Sequence, residues 1–180
     1  MELKLLNKRE LKELYTNEMT ADFPKSELKP LRAMLRLMDM GCYDPLLVVE
    51  EGEPVGYAML WLALGRQGAL LEYLGVLRGK RNGGLGTRIL ALLFDRYGQL
   101  FGEAEAPDST DAGENDLRCR RIGFYERNGF FLNPYPYLQP PISKGRSAIP
   151  LQIMTSGAAV SQEEFQRIKA LLYRRVYRQG

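Results

Sequence analysis

Leu77-Arg78-Gly79-Lys80-Arg81-Asn82-Gly83-Gly84-Leu85-Gly86-Thr87-Arg88 is the stretch that decides how this chain reads. It follows an apolar, β-rich run, Ala69 to Leu77, and opens an apolar helical run, Leu85 to Tyr97. Glycines at 83, 84 and 86 let backbone N–H groups come close to a ligand. The start of the following helix adds unpaired N–H donors and a partial positive charge. Arg78, Lys80, Arg81 and Arg88 add formal charge. Together these features make a phosphate site. A P-loop needs Lys and Ser/Thr directly after its last glycine, and Leu85 follows Gly84. A dinucleotide fingerprint needs glycine where Ile89 stands.

Upstream, Glu2 to Leu6 reads as a strand, and Lys8 to Met19 as a helix with Leu11, Leu14 and Tyr15 at helical spacing. After a break at Asp22-Phe23-Pro24-Lys25, Leu31 to Met40 reads as a helix burying Leu31, Met34, Leu35 and Met38. Leu46 to Val49, Val55 to Leu64 and Ala69 to Leu77 read as an antiparallel meander with turns at Glu51-Gly52-Glu53-Pro54 and Gln67-Gly68. Downstream, Leu100 to Ala104 reads as a strand, and Asp116 to Arg127 as a helix closed by Asn128-Gly129. Phe130 to Leu132 starts a strand, Ala148 to Thr155 belongs to a hairpin, and Ser161 with Glu164 caps a last helix. The fold class expected is α/β, a single mixed, mostly antiparallel sheet with helices on both faces. The whole chain, 1–180, is expected to be one domain.

The composition is globular, with 45% hydrophobic and 26% charged residues. A net charge of +3 is too small to point to nucleic acid. The longest apolar run, Val55 to Leu64, is too short to cross a bilayer, and Met1 to Leu14 lacks a signal-peptide core. A cytoplasmic protein without a membrane partner is expected. Cys42 and Cys119 lie far apart and make neither a disulfide framework nor a zinc site, so no metal is expected. Cys119 reads as a buried, inert helix cysteine. There is no histidine, which excludes Ser-His-Asp and Cys-His triads. Proton transfer falls to Glu, Asp, Tyr, Lys, Cys or water.

Arg81-x-x-Gly84-x-Gly86, between a strand ending at Val76 and an apolar helix, resembles the acetyl-CoA motif of the GNAT (Gcn5-related N-acetyltransferase) superfamily. Phe124-Tyr-Glu-Arg-Asn-Gly-Phe130 resembles the second signature of that family, a tyrosine one turn before a helix-ending N-G-F. The resemblance covers residues 43 to 132 closely and the rest as architecture. It implies a sheet splayed in its middle, with coenzyme A entering the splay. It implies that backbone around Val76 and Arg78 pairs with the pantetheine arm. It also implies that N–H groups of Arg81, Asn82, Gly83, Gly84, Leu85, Gly86 and Thr87 hold the pyrophosphate. Relatives carry asparagine seven residues before the tyrosine. Here that position is Arg118, able to reach a phosphate or to join Arg120, Arg121 and Arg127 on a solvated face.

The reaction so implied moves acetyl from acetyl-CoA to an amine. At neutral pH only about one part in a thousand of a primary amine is uncharged, so a carboxylate must take its proton. Glu103, then Glu72, then Glu105 are the candidates, as carboxylates on central strands that are costly to bury without a use. The leaving thiolate needs a proton, and a phenol, protonated at neutral pH, can give one. The family pattern places Tyr125 in that role. Acceptor contacts are expected from residues 20–31, with Asp22, Phe23 and Glu27, and from 133–146, with Tyr135 and Tyr137. A small-molecule amine is the leading acceptor. The alternatives are a protein or peptide amine, or a non-catalytic acyl-CoA sensor. Lys169, Arg174, Arg175 and Arg178 on the last helix suit solubility or a homodimer contact.

Overall fold

The computed structural model describes residues 1–62, 68–81, 83–142, 145 and 147–177. The expected strand end at Leu64, the turn residue Gln67, the phosphate-loop residue Asn82, and Arg178 lie outside the described residues. The described chain forms two compact units, one of residues 1–62 and 69–98, the other of residues 68 and 99–177.

The first unit is a four-stranded antiparallel sheet with helices on it. Strand β1 (Glu2–Leu5) pairs β2 (Tyr43–Glu50), β2 pairs β3 (Glu53–Trp61), and β3 pairs β4 (Ala69–Val76). The β2–β3 turn places Glu51 and Gly52 at positive φ. On β3, residues Val55 to Trp61 are all buried, as expected of a strand covered on both faces. Helix α4 (Leu85–Tyr97) packs Leu85, Ile89, Leu90 and Leu93 into the core. It comes so close at Gly56 that a Cβ there would lie 2.6 Å from Ile89 Cδ1.

Helix α1 (Lys8–Leu14) is closed at its start by a capping box, in which the Asn7 side chain accepts from Glu10 N–H and Glu10 accepts from Asn7 N–H. The sequence expectation of one helix to Met19 is corrected here. Tyr15–Met19 forms a wider π-helical turn, and a short helix α2 (Thr20–Asp22) follows. Such turns recur at functional positions. Helix α3 (Leu31–Asp39) buries Met34 and Leu37, so the expected face is rotated, with Leu31, Leu35 and Met38 only partly covered.

The second unit is built on β8 (Ile149–Ser156). It pairs antiparallel with β5 (Leu100–Ala104), with β6 (Phe130–Leu132) and with β7 (Tyr137–Gln139). Helix α5 (Ala112–Arg127) starts four residues before the expected Asp116 because Asp111 caps it, accepting from Glu114 N–H at 2.7 Å. Gly129 ends it at φ 81°. Ser161 caps α6 (Gln162–Arg175), whose Phe165, Ile168 and Leu172 are buried as the spacing predicts. No described helix is long and apolar enough to cross a membrane.

Candidate functional site

The glycine loop joins β4 to α4. Gly84 sits at φ 72°, ψ 4° as the N-cap residue, a left-handed conformation that glycine takes without strain. No side chain caps this helix. Its first intrahelical bond runs from Arg88 N–H to Gly84 C=O at 3.3 Å, so Leu85, Gly86 and Thr87 keep N–H groups without intrahelical partners. A Cβ built on Gly83 or on Gly84 would meet nothing within 4 Å. The loop therefore presents an open, positively polarised surface.

The arginines around it are half-exposed and tied to the protein. Arg81 donates from Nε to Val76 C=O at 3.1 Å and from its terminal nitrogen to Asp22 at 2.5 Å. Arg78 donates to Asn17 C=O at 2.9 Å and lies 3.6 Å from Glu18. Arg88 pairs with Glu50. Lys80 is exposed and has no ion-pair partner among the described residues. The backbone, more than the guanidinium groups, is thus left to meet an anion. Asp22, read from sequence as an acceptor contact, instead braces the loop. It also accepts from the Tyr57 hydroxyl at 2.7 Å. The Tyr57 ring reaches Asp22 across Gly75, where a Cβ would lie 2.3 Å from the ring.

Glu72 on β4 is 12% exposed and is held by three donors. Lys29 Nζ pairs with it, Tyr43 donates to it at 2.6 Å, and Trp61 Nε1 donates at 3.2 Å. Burial and the adjacent Glu72 charge push the Tyr43 phenol well above its ordinary pKa. Phe23, another expected acceptor residue, packs edge-on against Tyr73 at 4.9 Å. The Tyr73 hydroxyl donates to Glu27 C=O at 2.8 Å and accepts from Lys29 N–H at 2.9 Å. Segment 22–29 is therefore fastened along β4.

In the second unit Glu103, on β5, accepts among the described residues from the Tyr137 hydroxyl, from Gln139 Nε2 at 2.8 Å and from the Tyr177 hydroxyl at 2.5 Å. Burial, then the Glu103 charge, raises the Tyr137 phenol far above its usual range. Sequence reasoning named Tyr137 as an acceptor contact; its hydroxyl is committed to Glu103. Glu105 pairs with Arg118 at 3.3 Å. Arg118 also reaches Ala106 C=O, Asp108 and Glu114, so it is neither solvated nor aimed at a ligand. Cys119 is exposed, which corrects the expectation of burial.

Tyr125 lies near the end of α5 and packs edge-on against Phe124 and Phe130, at 5.2 and 5.1 Å. Its hydroxyl makes no hydrogen bond to a described residue, unlike those of Tyr57, Tyr73 and Tyr137. Burial pushes the phenol up to about 12, against a smaller opposing effect of Arg121. Among the described residues, no group of three or more His, Cys, Asp or Glu could hold a metal ion.

A GNAT-family acetyltransferase from Bacteroides thetaiotaomicron has the same fold, with a TM-score of 0.84 at 24% identity over 98% of each chain. An aminoglycoside 6'-N-acetyltransferase complexed with coenzyme A matches with a TM-score of 0.56 at 16% identity, over 90% of this chain and all of that one. A spermidine N-acetyltransferase from Vibrio cholerae matches with a TM-score of 0.58 at 10% identity, over 86% of this chain and 91% of that one. No curated protein sequence matches the chain. The family model of the acetyltransferase (GNAT) family covers residues 8–130, more than half of the sequence and with it the glycine loop and Tyr125, and the chain belongs to that family of acetyl-CoA-dependent enzymes.

Proposed function

We propose that this enzyme transfers acetyl from acetyl-CoA directly to the primary amine of a small molecule, the whole chain acting as one acetyltransferase domain. The observation that carries the reading is the open glycine loop with free N–H groups at the start of α4. Backbone N–H groups from Arg81 to Thr87 hold the pyrophosphate, and backbone near Val76 and Arg78 guides the pantetheine arm. The Val76 carbonyl already accepts from Arg81, so the arm is met there by the remaining backbone groups. Tyr125 gives its proton to the leaving thiolate. Its hydroxyl has no described partner to release first, and its raised pKa keeps it protonated at neutral pH.

Glu103 is the base. It lies on β5, the strand that follows the glycine-loop helix α4, whereas Glu72 is already engaged by the Lys29 ammonium, Tyr43 and Trp61. The small acceptor is supported by segment 22–29, which is tied down along β4 and leaves it little freedom to open for a peptide. Neighbours named for aminoglycosides and spermidine fit this class, and a ribosomal-protein-alanine N-acetyltransferase of equal likeness fits the peptide alternative.

Gly83→Val tests the loop. Its side chain would enter open space, so the fold should be kept and only ligand approach blocked. Calorimetry should show acetyl-CoA binding weakened at least about tenfold, which is about 1.4 kcal/mol. Parent-like binding would remove the pyrophosphate assignment.

A further inference from the structure

Two tyrosine hydroxyls from different elements of the second unit meet on Glu103, and the reaction described above uses neither. Tyr137, on β7, donates to Oε1. Tyr177, just beyond α6, donates to Oε2 at 2.5 Å across 74 positions of sequence. Gln139 Nε2 donates to the same carboxylate oxygen at 2.8 Å and to the Tyr177 hydroxyl at 3.0 Å, so one amide holds both members of that bond. The clamp is itself supported. Tyr173 donates to Leu138 C=O at 2.6 Å, which ties the end of α6 to β7, and its ring lies 5.8 Å from that of Tyr137. Tyr177 N–H donates to Leu172 C=O at 3.1 Å, which keeps the turn on the helix. Glu103 is fixed on β5 by its pairing with Ile153 of β8. The titratable groups against it among the described residues include Tyr137 of β7 and Tyr177, with Tyr173 of α6 behind Tyr137. Glu105, two residues on, pairs with Arg118 of α5.

We propose that Tyr177 is a positioning residue for the acetyl transfer: its hydroxyl, with that of Tyr137 on the other oxygen, aims the Glu103 carboxylate at the acceptor amine and sets the pH at which it works. The proposal rests on Glu103 being the base. A glutamate rotates about several side-chain bonds, and a base acts only within hydrogen-bond reach of the proton it takes. A hydroxyl on each oxygen stops that rotation. Donors on a carboxylate also favour its charged form, the form able to take a proton. A hydroxyl both donates and accepts. When the amine nitrogen gives its proton to Glu103, the Tyr177 hydroxyl turns and accepts from the new carboxyl O–H. The NH2 of Gln139 only donates, and it keeps Tyr177 in place meanwhile.

The purified full chain is assayed for thiol release from acetyl-CoA with saturating spermidine, an aminoglycoside and other small primary amines, and kcat is followed from acid to alkaline pH. In the parent, kcat falls at the acid end as Glu103 takes up a proton. Tyr177→Phe keeps the ring and removes one donor. This fall should then begin about one pH unit higher, a tenfold change in proton concentration and the scale of one hydrogen bond to a charged group. KM for acetyl-CoA should stay at the parent value. Tyr173→Phe is the control, since it removes a hydroxyl that fastens the same helix through Leu138. It should leave the acid fall in place whatever it does to melting. Should Tyr177→Phe fold poorly, Gln139→Met removes another donor to Oε2 and should move the fall the same way. In Glu103→Gln the fall is absent, and adding Tyr177→Phe should change the profile no further. An acid fall that stays in place in Tyr177→Phe, or moves as far in Tyr173→Phe, overturns the proposal; a slow Glu103→Gln beside it leaves the base reading intact. Full activity of Glu103→Gln, or no thiol release with any amine, overturns both.

Discussion

The Tyr125 hydroxyl is a proton donor with no described protein partner, set on a ring that two phenylalanines hold in place. Tyr125→Phe therefore deletes no protein hydrogen bond, and melting should be nearly unchanged. Turnover should fall about a hundredfold with acetyl-CoA affinity kept, because the thiolate it serves develops only in the transition state. The raised phenol, at about 12, stays protonated through mildly alkaline pH. The parent rate should climb as the amine is neutralised toward about pH 10, with no descending limb from Tyr125. Glu103→Gln should steepen that climb, losing most at neutral pH and least where the amine is already uncharged. Steady-state rates across pH check both variants. Full activity of that variant would remove the acid role, and a descending limb near pH 9 that vanishes in Tyr125→Phe would keep that role but contradict the raised phenol.

At this scale the sequence disclosed chemical types better than partners. Glycine spacing and the Tyr125 signature were legible because they are local patterns. The ties of Asp22 to Arg81 and of Lys29 to Glu72 join residues 59 and 43 positions apart, and no spacing rule encodes them. Arg118 looked like a solvated or ligand-facing arginine because its partners Glu105, Asp108 and Glu114 come together only when the loop before α5 folds back.

Among the elements, β3 and β4 carry the loop and fix its shape through Tyr57. Gly75→Ala would place a Cβ 2.3 Å from the Tyr57 ring, so the ring must move and lose Asp22. Overpacking of this kind costs about 1–3 kcal/mol. The variant should melt lower, and it should bind acetyl-CoA more weakly because Asp22 then braces Arg81 less well. Parent-like melting together with parent-like binding would show that the brace does not shape the loop. The strand and helix order was readable here because β3 and β4 are short apolar runs bounded by turn signals and α4 carries apolar residues at helical spacing. The π-helical turn at Tyr15–Met19 was not readable, since one residue of widening barely alters that period. The early start of α5 was readable in principle from Asp111-x-x-Glu114, a capping pattern inside a polar run.

For the molecule as a whole, family and fold were legible and the acceptor was not. The proposed donor site is built from backbone and glycine, which leave a motif in the sequence. The segments proposed to meet the acceptor carry side chains that in this structure bind within the protein. Tyr73 holds 27–29, Asp22 holds Arg81, and Tyr137 holds Glu103. The most direct test is therefore made on the unmodified enzyme. Release of coenzyme A thiol from acetyl-CoA is followed with a panel of small primary amines, polyamines, aminoglycosides and peptides. The account predicts sustained release, many turnovers per chain, with at least one small primary amine and little with peptides. Binding of acetyl-CoA without sustained thiol release on any amine would contradict it.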